Sequence, residues 1–216
     1  LLDGKIEKMM QAFRENPAAR LVTSRRAQID GEGRVQPNPC TEGVPESEAD
    51  YSVFEGEAVG RETLLGCRNF LGEPSAVLFR RDDLKHHYWR AESRGYKTIS
   101  DVAMWLELLE EGDCIFFQKP LSCYRRHEAQ EGQQAGVILL SRLEWLRIIE
   151  EYYRRRVYLK TEEEYRKPLE LLYGEYLTER DRFDRAAAGD CWQAYEEAMR
   201  GVRRMLEKMK KKERTH

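Results

Sequence analysis

The sequence lacks several features that would assign a protein to a class at once. No apolar run approaches the roughly 20 residues that a membrane-spanning helix needs, and no secretory signal is visible. The five cysteines are widely spaced and form no C-x-x-C pair, so neither a zinc site nor a disulfide framework is indicated. We therefore expect reduced thiols and a cytoplasmic location.

An excess of one charge is also missing. The chain carries 37 basic and 39 acidic side chains, and its net charge of −2 gives no general attraction to nucleic acid. The basic C-terminal stretch KMKKKER is open to two interpretations, a solvated helix end or peripheral contact with anionic lipid at a membrane.

The composition is that of a folded protein with a core. Apolar residues make up 41% of the 216 positions, which suits one large domain or a domain with an appendage. The chain begins at Leu1 rather than Met, as a fragment or a processed product would. The pattern changes after Gly132, so we predict an α/β portion over residues 1–134 and an all-helical subdomain over residues 135–216.

Helical periodicity dominates the second region. Three segments are predicted, the first over about 137–158, the second over 161–177 behind a capping-box-like Thr161-Glu162-Glu163-Glu164, and the third introduced by Gly189-Asp190. The third has apolar residues at alternating spacings of three and four. This pattern fits helices that pack on their neighbours, or a coiled coil that binds a partner.

The first region mixes helix and strand signals. Asp3 is predicted to cap a first helix that ends at Asn16-Pro17 and has one apolar stripe: Ile6, Met9, Met10 and Phe13. Residues 19–29 read as a strand. A second helix is predicted over 57–67 and a short buried strand over 76–79. Residues 31–50 are rich in Gly and Pro, which indicates a long surface loop that is either a lid or disordered.

The stretch from Ile99 to His127 carries the candidate site. Asp101 stands where a helix should begin, and Trp105 follows four positions later, so both point to one side of that helix. Two short apolar strands are predicted over 114–117 and 121–124, and the basic cluster Arg125, Arg126 and His127 follows them. An acid, an aromatic and a basic cluster in this order suggest a site for a polar ligand.

Each of these residues also has a structural interpretation. Asp101, or Ser100 before it, would serve as an ordinary helix N-cap. Trp105 would pack in the core, and the basic cluster would be a surface turn that ends the domain. The adjacent histidines His86 and His87 point about 100° apart on a helix, so they are poor joint metal ligands.

The combined pattern resembles the distal half of family 2 glycosyltransferases. The resemblance rests on D-x-x-x-W from Asp101, on Gly112-Asp113, and on P-L-x-x-Y-R-x-H, which begins at Pro120 and ends at His127. Upstream, Gly72-Glu73-Pro74-Ser75 and the strand after it are similar to the G-x-P-S loop of that family, and the resemblance covers roughly residues 1–130.

The resemblance implies a fold and a reaction. The fold would be the acceptor-side part of a GT-A-like fold, followed by the helical subdomain. The reaction would move a sugar, with inversion, from a nucleotide-diphosphate donor to a saccharide, lipid-linked or protein acceptor. Such an enzyme would take part in polysaccharide or glycan synthesis. A base must accept the proton of the acceptor hydroxyl, and the resemblance assigns that role to Asp101.

The resemblance also implies roles for the other candidate residues. Trp105 would stack on a sugar ring, and Gly72, Pro74 and Ser75 would shape the acceptor loop, although a turn before a strand explains these three almost as well. Arg125 and His127 would reach the diphosphate or its divalent cation, and His127 is the candidate metal ligand.

The donor-binding half of that family, with its metal-binding aspartate motif, would precede Leu1. We therefore expect a divalent cation, manganese or magnesium, in the complete enzyme, none bound to this chain, and little or no catalysis by it. Two alternatives remain, a non-catalytic module that acts through its C-terminal helices, or an accidental likeness in a purely helical scaffold with no strands over 114–124. A homodimer through the helical tail or an exposed sheet edge is a further expectation.

Overall fold

The chain folds as a mixed α/β protein. The structure, a computed structural model, describes residues 3–37, 47–84, 95–126, 134–181 and 188–213. Two compact units are present. The first comprises Leu1–Thr63 and Arg68–Glu128, and the second comprises Leu64–Cys67 and Ala129–His216. No helix in the described part of the chain is both long enough and apolar enough to cross a membrane.

A helix and a strand open the first unit. Helix α1 (Lys5–Glu15) starts after Gly4, whose φ of +70° lies in the left-handed region, so the predicted cap by Asp3 is wrong. Helix α1 ends at Glu15, and Asn16 is its C-cap residue, which agrees with the predicted stop at Asn16-Pro17. Of its apolar stripe, Met9 is buried but Met10 is 42% exposed. Strand β1 (Ala19–Ile29) has the predicted bounds.

The first unit contains a five-stranded mixed sheet. The path β2 (Val35–Gln36), β1, β5 (Asp113–Arg125), β3 (Tyr51–Phe54) describes its order, and β4 (Leu78–Phe79) pairs with β1 beside that path. Strands β1 and β5 are parallel, and the other pairs are antiparallel. The two strands predicted over 114–124 are one continuous strand, which contradicts the purely helical interpretation.

The pairing of β1 with β5 is irregular next to Arg26. The register shifts between Ser24 and Arg26. Val22 belongs to the apolar cluster against α1, so Thr23 points to the opposite face of the sheet. At the register shift β1 advances two residues, from Ser24 to Arg26, while β5 advances five. Beyond this irregularity Arg26 contacts the same loop as Thr23 does.

Two further helices are described in the first unit, which contains residues 56–63 of the first of them. Helix α2 (Gly56–Gly66) matches the predicted helix to within one residue at each end. Helix α3 (Ser100–Leu109) is almost wholly buried and contacts β1. The residue at the N-cap position of α3 is Ile99, whose side chain makes no capping hydrogen bond. Ser100 and Asp101 lie in the first turn of the helix, one and two positions after the N-cap position that was predicted for one of them.

Three long helices lie in the described part of the second unit. These are α4 (Ala135–Arg155), α5 (Glu162–Glu179) and α6 (Asp190–Glu213). Thr161 and Glu164 form the predicted capping box, in which each side chain bonds the other residue's backbone N–H. The apolar residues predicted at spacings of three and four on α6 are buried except for the last, Met209, which is partly exposed. The buried ones are Trp192, Tyr195, Met199, Val202 and Leu206.

Candidate functional site

The loop after α2 folds over the first turn of α3 and brings a carboxylate and an amide together. The Asn69 Nδ2 atom donates a hydrogen bond of 2.8 Å to Asp101 Oδ2. The other carboxylate oxygen, Oδ1, accepts a bond of 2.8 Å from the backbone N–H of Val102. Each oxygen of Asp101 therefore has one protein donor, from two different elements of the first unit.

Asn69 is held in turn by the backbone of Gly72. Its Oδ1 atom accepts from the Gly72 N–H at 2.9 Å, and its Nδ2 atom also donates to the Gly72 carbonyl at 3.2 Å. That carbonyl receives a third bond, 2.9 Å long, from the indole N–H of Trp105. The two halves of the predicted site, the 72–75 loop and the start of the helix, are thus in direct contact.

Trp105 does not have the position expected of a sugar platform. Its side chain is 0% exposed, and its ring lies 5.6 Å from the ring of Phe79, between centroids. A ring without accessible surface cannot stack on a ligand in this conformation. In this structure Trp105 instead packs in the core and, through its indole N–H, holds the Gly72 carbonyl that also contacts Asn69.

Side chains of strand β1 contact this loop from the sheet. The Thr23 hydroxyl donates to the Leu71 carbonyl, and the Arg26 guanidinium lies 3.4 Å from a carboxylate oxygen of Glu73. The Arg26 side chain is 2% exposed, whereas that of Glu73 is 36% exposed. A buried cation thus anchors a carboxylate that still reaches water.

Gly72 is required by geometry at the centre of the loop. Its φ is +111°, a conformation that side chains with a Cβ rarely adopt. A Cβ atom at this position would clash with the Arg26 guanidinium and would lie 2.9 Å from the Cβ of Ala76. The glycine allows the backbone to approach both neighbours at once.

The carboxyl of Asp101 has an unusual electrostatic environment. Burial raises its pKa to about 6, from a usual value near 3.8, and the negative charge of Glu73 acts in the same direction. The hydrogen bond from the Val102 N–H and the positive charge of Arg26 oppose this shift. The residue as a whole is half-buried, and its carboxylate has a raised basicity.

The remaining predicted residues have other contacts. Pro74 and Ser75 are exposed, and the Ser75 carbonyl accepts from the buried amine of Lys5 at 2.6 Å. Arg125 donates to the carbonyls of Asp30 and Gly31 at 3.0 and 2.8 Å, so it braces the turn after β1.

Metal binding by His127 stays a prediction. His127 lies outside the described residues, and the other three histidines do so as well: His86, His87 and His216. Within the described ranges no three His, Cys, Asp or Glu side chains are grouped to hold a metal ion.

The second unit has a cavity of its own between its three helices. Its volume is about 300 Å³, and none of the predicted site residues lines it. The lining is mostly apolar, with Arg147 and Glu150 as its charged members: Leu143, Leu146, Arg147, Glu150, Tyr165, Leu169, Ala198, Gly201, Val202 and Met205.

Comparison with known proteins adds no family assignment. The chain matches no protein-family model and no curated protein. The case for its function therefore depends on the residues and their geometry.

Three residues of the site were not predicted from the sequence. Asn69 lay in a turn-rich passage, while Thr23 and Arg26 lay in a strand whose faces the alternation alone did not assign. The local signal was that Asn69 precedes Gly72 by three positions. An Asn so close to a Gly indicates a turn, and it does not indicate a partner for Asp101.

Proposed function

We propose that the first unit is the acceptor-side part of an inverting glycosyltransferase of the GT-A-like class, with Asp101 as the general base. The complete enzyme would move a sugar from a nucleotide-diphosphate donor to a glycan acceptor. The observation that carries the proposal is the Asp101 carboxylate, which is half-buried, bonded once at each oxygen and of raised pKa.

These properties suit proton abstraction from a hydroxyl. A base works best when its pKa lies near the working pH, and a pKa of about 6 leaves the carboxyl mostly ionised at pH 7. One hydrogen bond at each oxygen leaves further lone pairs for an acceptor hydroxyl. The exposed Pro74 and Ser75 and the half-exposed Glu73 border the same loop and would contact the acceptor.

The divalent cation implied by this class would neutralise the diphosphate leaving group when bound. The described residues offer no group of ligands that fits it, so no step of the proposal is assigned to a metal. The role of Arg125 and His127 at the diphosphate likewise stays a prediction, as do the nucleotide-sugar donor and the glycan acceptor themselves.

The test is sugar transfer by the natural gene product that contains these residues. A panel of nucleotide sugars and acceptor oligosaccharides would be assayed with the wild type and with Asp101→Asn. We expect the variant to lose about 100- to 10,000-fold in kcat, the usual contribution of a general base, with its circular dichroism unchanged.

A matched control is Asp50→Asn in the same unit. The Asp50 side chain is 79% exposed and only ion-paired with Lys119 at 3.7 Å, so this change should leave transfer unaltered. Transfer by Asp101→Asn at the wild-type rate would refute the proposal.

A second candidate function is supported by the cavity in the helical unit. A cleft of about 300 Å³ with a mostly apolar lining is large enough to receive one apolar group of a partner. In that case the protein would be a non-catalytic interaction module that acts through α4, α5 and α6. Asp101→Ala would then leave its cellular role intact, whereas Gly201→Trp, which fills the open space beside Gly201, would abolish partner binding.

A further inference from the structure

The side-chain plane of an aspartate is not set by its own torsions. The last torsion of Asp is broad, so a carboxylate at a helix start can turn unless other groups hold it. At Asp101 the Val102 N–H holds Oδ1 and the Asn69 amide holds Oδ2. Because a donor holds each carboxylate oxygen, the plane of the carboxylate is fixed. A single donor would hold one oxygen and leave the group free to turn about it.

The amide of Asn69 has its own orientation fixed by the backbone. Its oxygen faces the Gly72 N–H and its nitrogen faces the Gly72 carbonyl, so turning the amide over would bring two donors and two acceptors together. The Gly72 carbonyl is held by the Trp105 indole as well. A continuous path of hydrogen bonds therefore runs from the loop backbone through Asn69 to Asp101.

We propose that Asn69 is the positioning residue for Asp101, which fixes the plane of the carboxylate so that its remaining lone pairs face the acceptor hydroxyl. The positioning follows from the contacts above, and only its last step, toward the acceptor, rests on the proposed glycosyl transfer. Asn69 itself touches no reacting atom in this scheme.

The groups around the carboxylate predict how its titration responds. Glu73 of the loop is the negative neighbour, and Arg26 of β1 is the positive one. Asn69 is neutral, but its N–H donation favours the ionised form of Asp101. Removing Asn69 should therefore raise the Asp101 pKa, while removing the charge of Glu73 should lower it.

The experiment is a carbon-detected NMR titration of the Asp101 side-chain carboxyl in this chain, without substrate. We expect Asn69→Ala to raise the midpoint by about one pH unit, which corresponds to one lost hydrogen bond to a charged group. Asn69→Asp has the same shape and keeps the bond from the Gly72 N–H, but it should raise the midpoint further by like-charge repulsion. Glu73→Gln should move it downward.

The matched control is Asn16→Ala in the same unit. Asn16 Nδ2 also makes two hydrogen bonds, of 2.9 Å to the Ala12 carbonyl and 3.2 Å to the Tyr51 hydroxyl, and neither involves Asp101. This variant should leave the Asp101 midpoint unchanged. If Asn69→Ala fails to fold, the titration of Asn69→Asp serves as the test. The inference is overturned if Asp101 titrates at its wild-type midpoint in an Asn69 variant that folds.

Kinetics of the natural gene product separate this inference from the proposed function. With Asn69→Ala we expect kcat to fall while KM changes little, and the acid limb of the pH–rate profile to move upward with the NMR midpoint. An NMR midpoint that moves while the acid limb stays still supports the positioning by Asn69 and refutes Asp101 as the base. A midpoint and a kcat that both stay at wild-type values refute the positioning.

Discussion

Different kinds of contact stabilise the interior of each of the two units. In the first unit a buried arginine, a glycine with a positive φ and the side-chain amide of Asn69 converge on one loop, and each has a geometric reason for its identity. In the second unit three helices pack along apolar faces, and glycines such as Gly174 and Gly201 have open space beside them. Residues with a geometric reason for their identity are concentrated around the Asp101 carboxylate, and sequence tolerance is expected where helices pack along apolar faces.

Among the stability changes predicted for the two units, the largest is expected for Gly72→Ala. A Cβ would require a φ of +111° from a residue that rarely adopts it, and it would clash with Arg26. From backbone strain and overpacking together we expect a loss of roughly 2–5 kcal/mol in the free energy of unfolding, measured by urea denaturation. Gly31→Ala, in an open turn of the same unit, should cost less than about 0.5 kcal/mol. Equal effects of the two changes would mean that the loop is not constrained as described.

Arg142→Met tests whether the helical unit depends on any specific polar residue. Arg142 on α4 binds Glu179 of α5 and the Tyr195 hydroxyl of α6, and it lies 3.7 Å from Glu175. Its side chain is 13% exposed, so its loss leaves two acidic groups close together without this cation. We expect a loss of about 1–3 kcal/mol in thermal or urea unfolding.

The control for that change is Arg154→Ala on the same helix. Arg154 is 71% exposed and lies 3.9 Å from Glu150, so its removal should cost under about 0.5 kcal/mol. A loss for Arg142→Met no larger than that of the control would show that apolar packing alone holds the three helices.

The pH dependence of stability gives a smaller and more specific test of the site. The pKa of Asp101 is raised in the folded state to about 6 by burial, so the folded protein binds the proton more tightly than the unfolded chain does. Wild-type stability should therefore fall relative to Asp101→Asn as the pH rises from about 4 to about 6, and the difference should be constant above that range.

For a fully buried group, a rise in pKa from 3.8 to about 6 would change the free energy of unfolding by about 3 kcal/mol over this pH range. We expect roughly half of that change because the residue Asp101 is not fully buried. The measurement is urea unfolding of both proteins at several pH values. Only the change of the difference with pH is informative, since the variant also loses a hydrogen bond at every pH. A difference independent of pH would show that the Asp101 pKa is ordinary.

Local patterns predicted the elements well where their signals were self-contained. Strand β1 has the predicted bounds because Pro17 before it and Asp30-Gly31 after it mark both of its ends. The capping box at Thr161 was predictable because both partners lie within four residues. Strand β3 was missed because it has only four residues and borders a stretch interpreted as loop.

The contacts of the candidate site were beyond local patterns. Asn69 and Asp101 are 32 positions apart, and their hydrogen bond depends on the backbone of Gly72. Arg26 follows an irregularity in the pairing of β1 with β5, which alternation of residue types does not indicate. The sequence could nominate Asp101, Trp105 and Gly72, but it could not show that Trp105 is buried and contacts Gly72 rather than a ligand.

Gly174→Ala in α5 should have the smallest effect, and the effect should have the opposite sign. Gly174 lies inside a helix, and a Cβ added to it would meet nothing within 4 Å outside that helix's own nearby backbone. Alanine restricts the unfolded chain and favours helix, so we expect a gain of about 0.5–1 kcal/mol in the free energy of unfolding. The same substitution, glycine to alanine, would then destabilise the first unit at Gly72 and stabilise the second at Gly174. A loss of stability at Gly174 would mean that this face of α5 is packed against something, and the helical unit would then be as constrained in sequence as the loop.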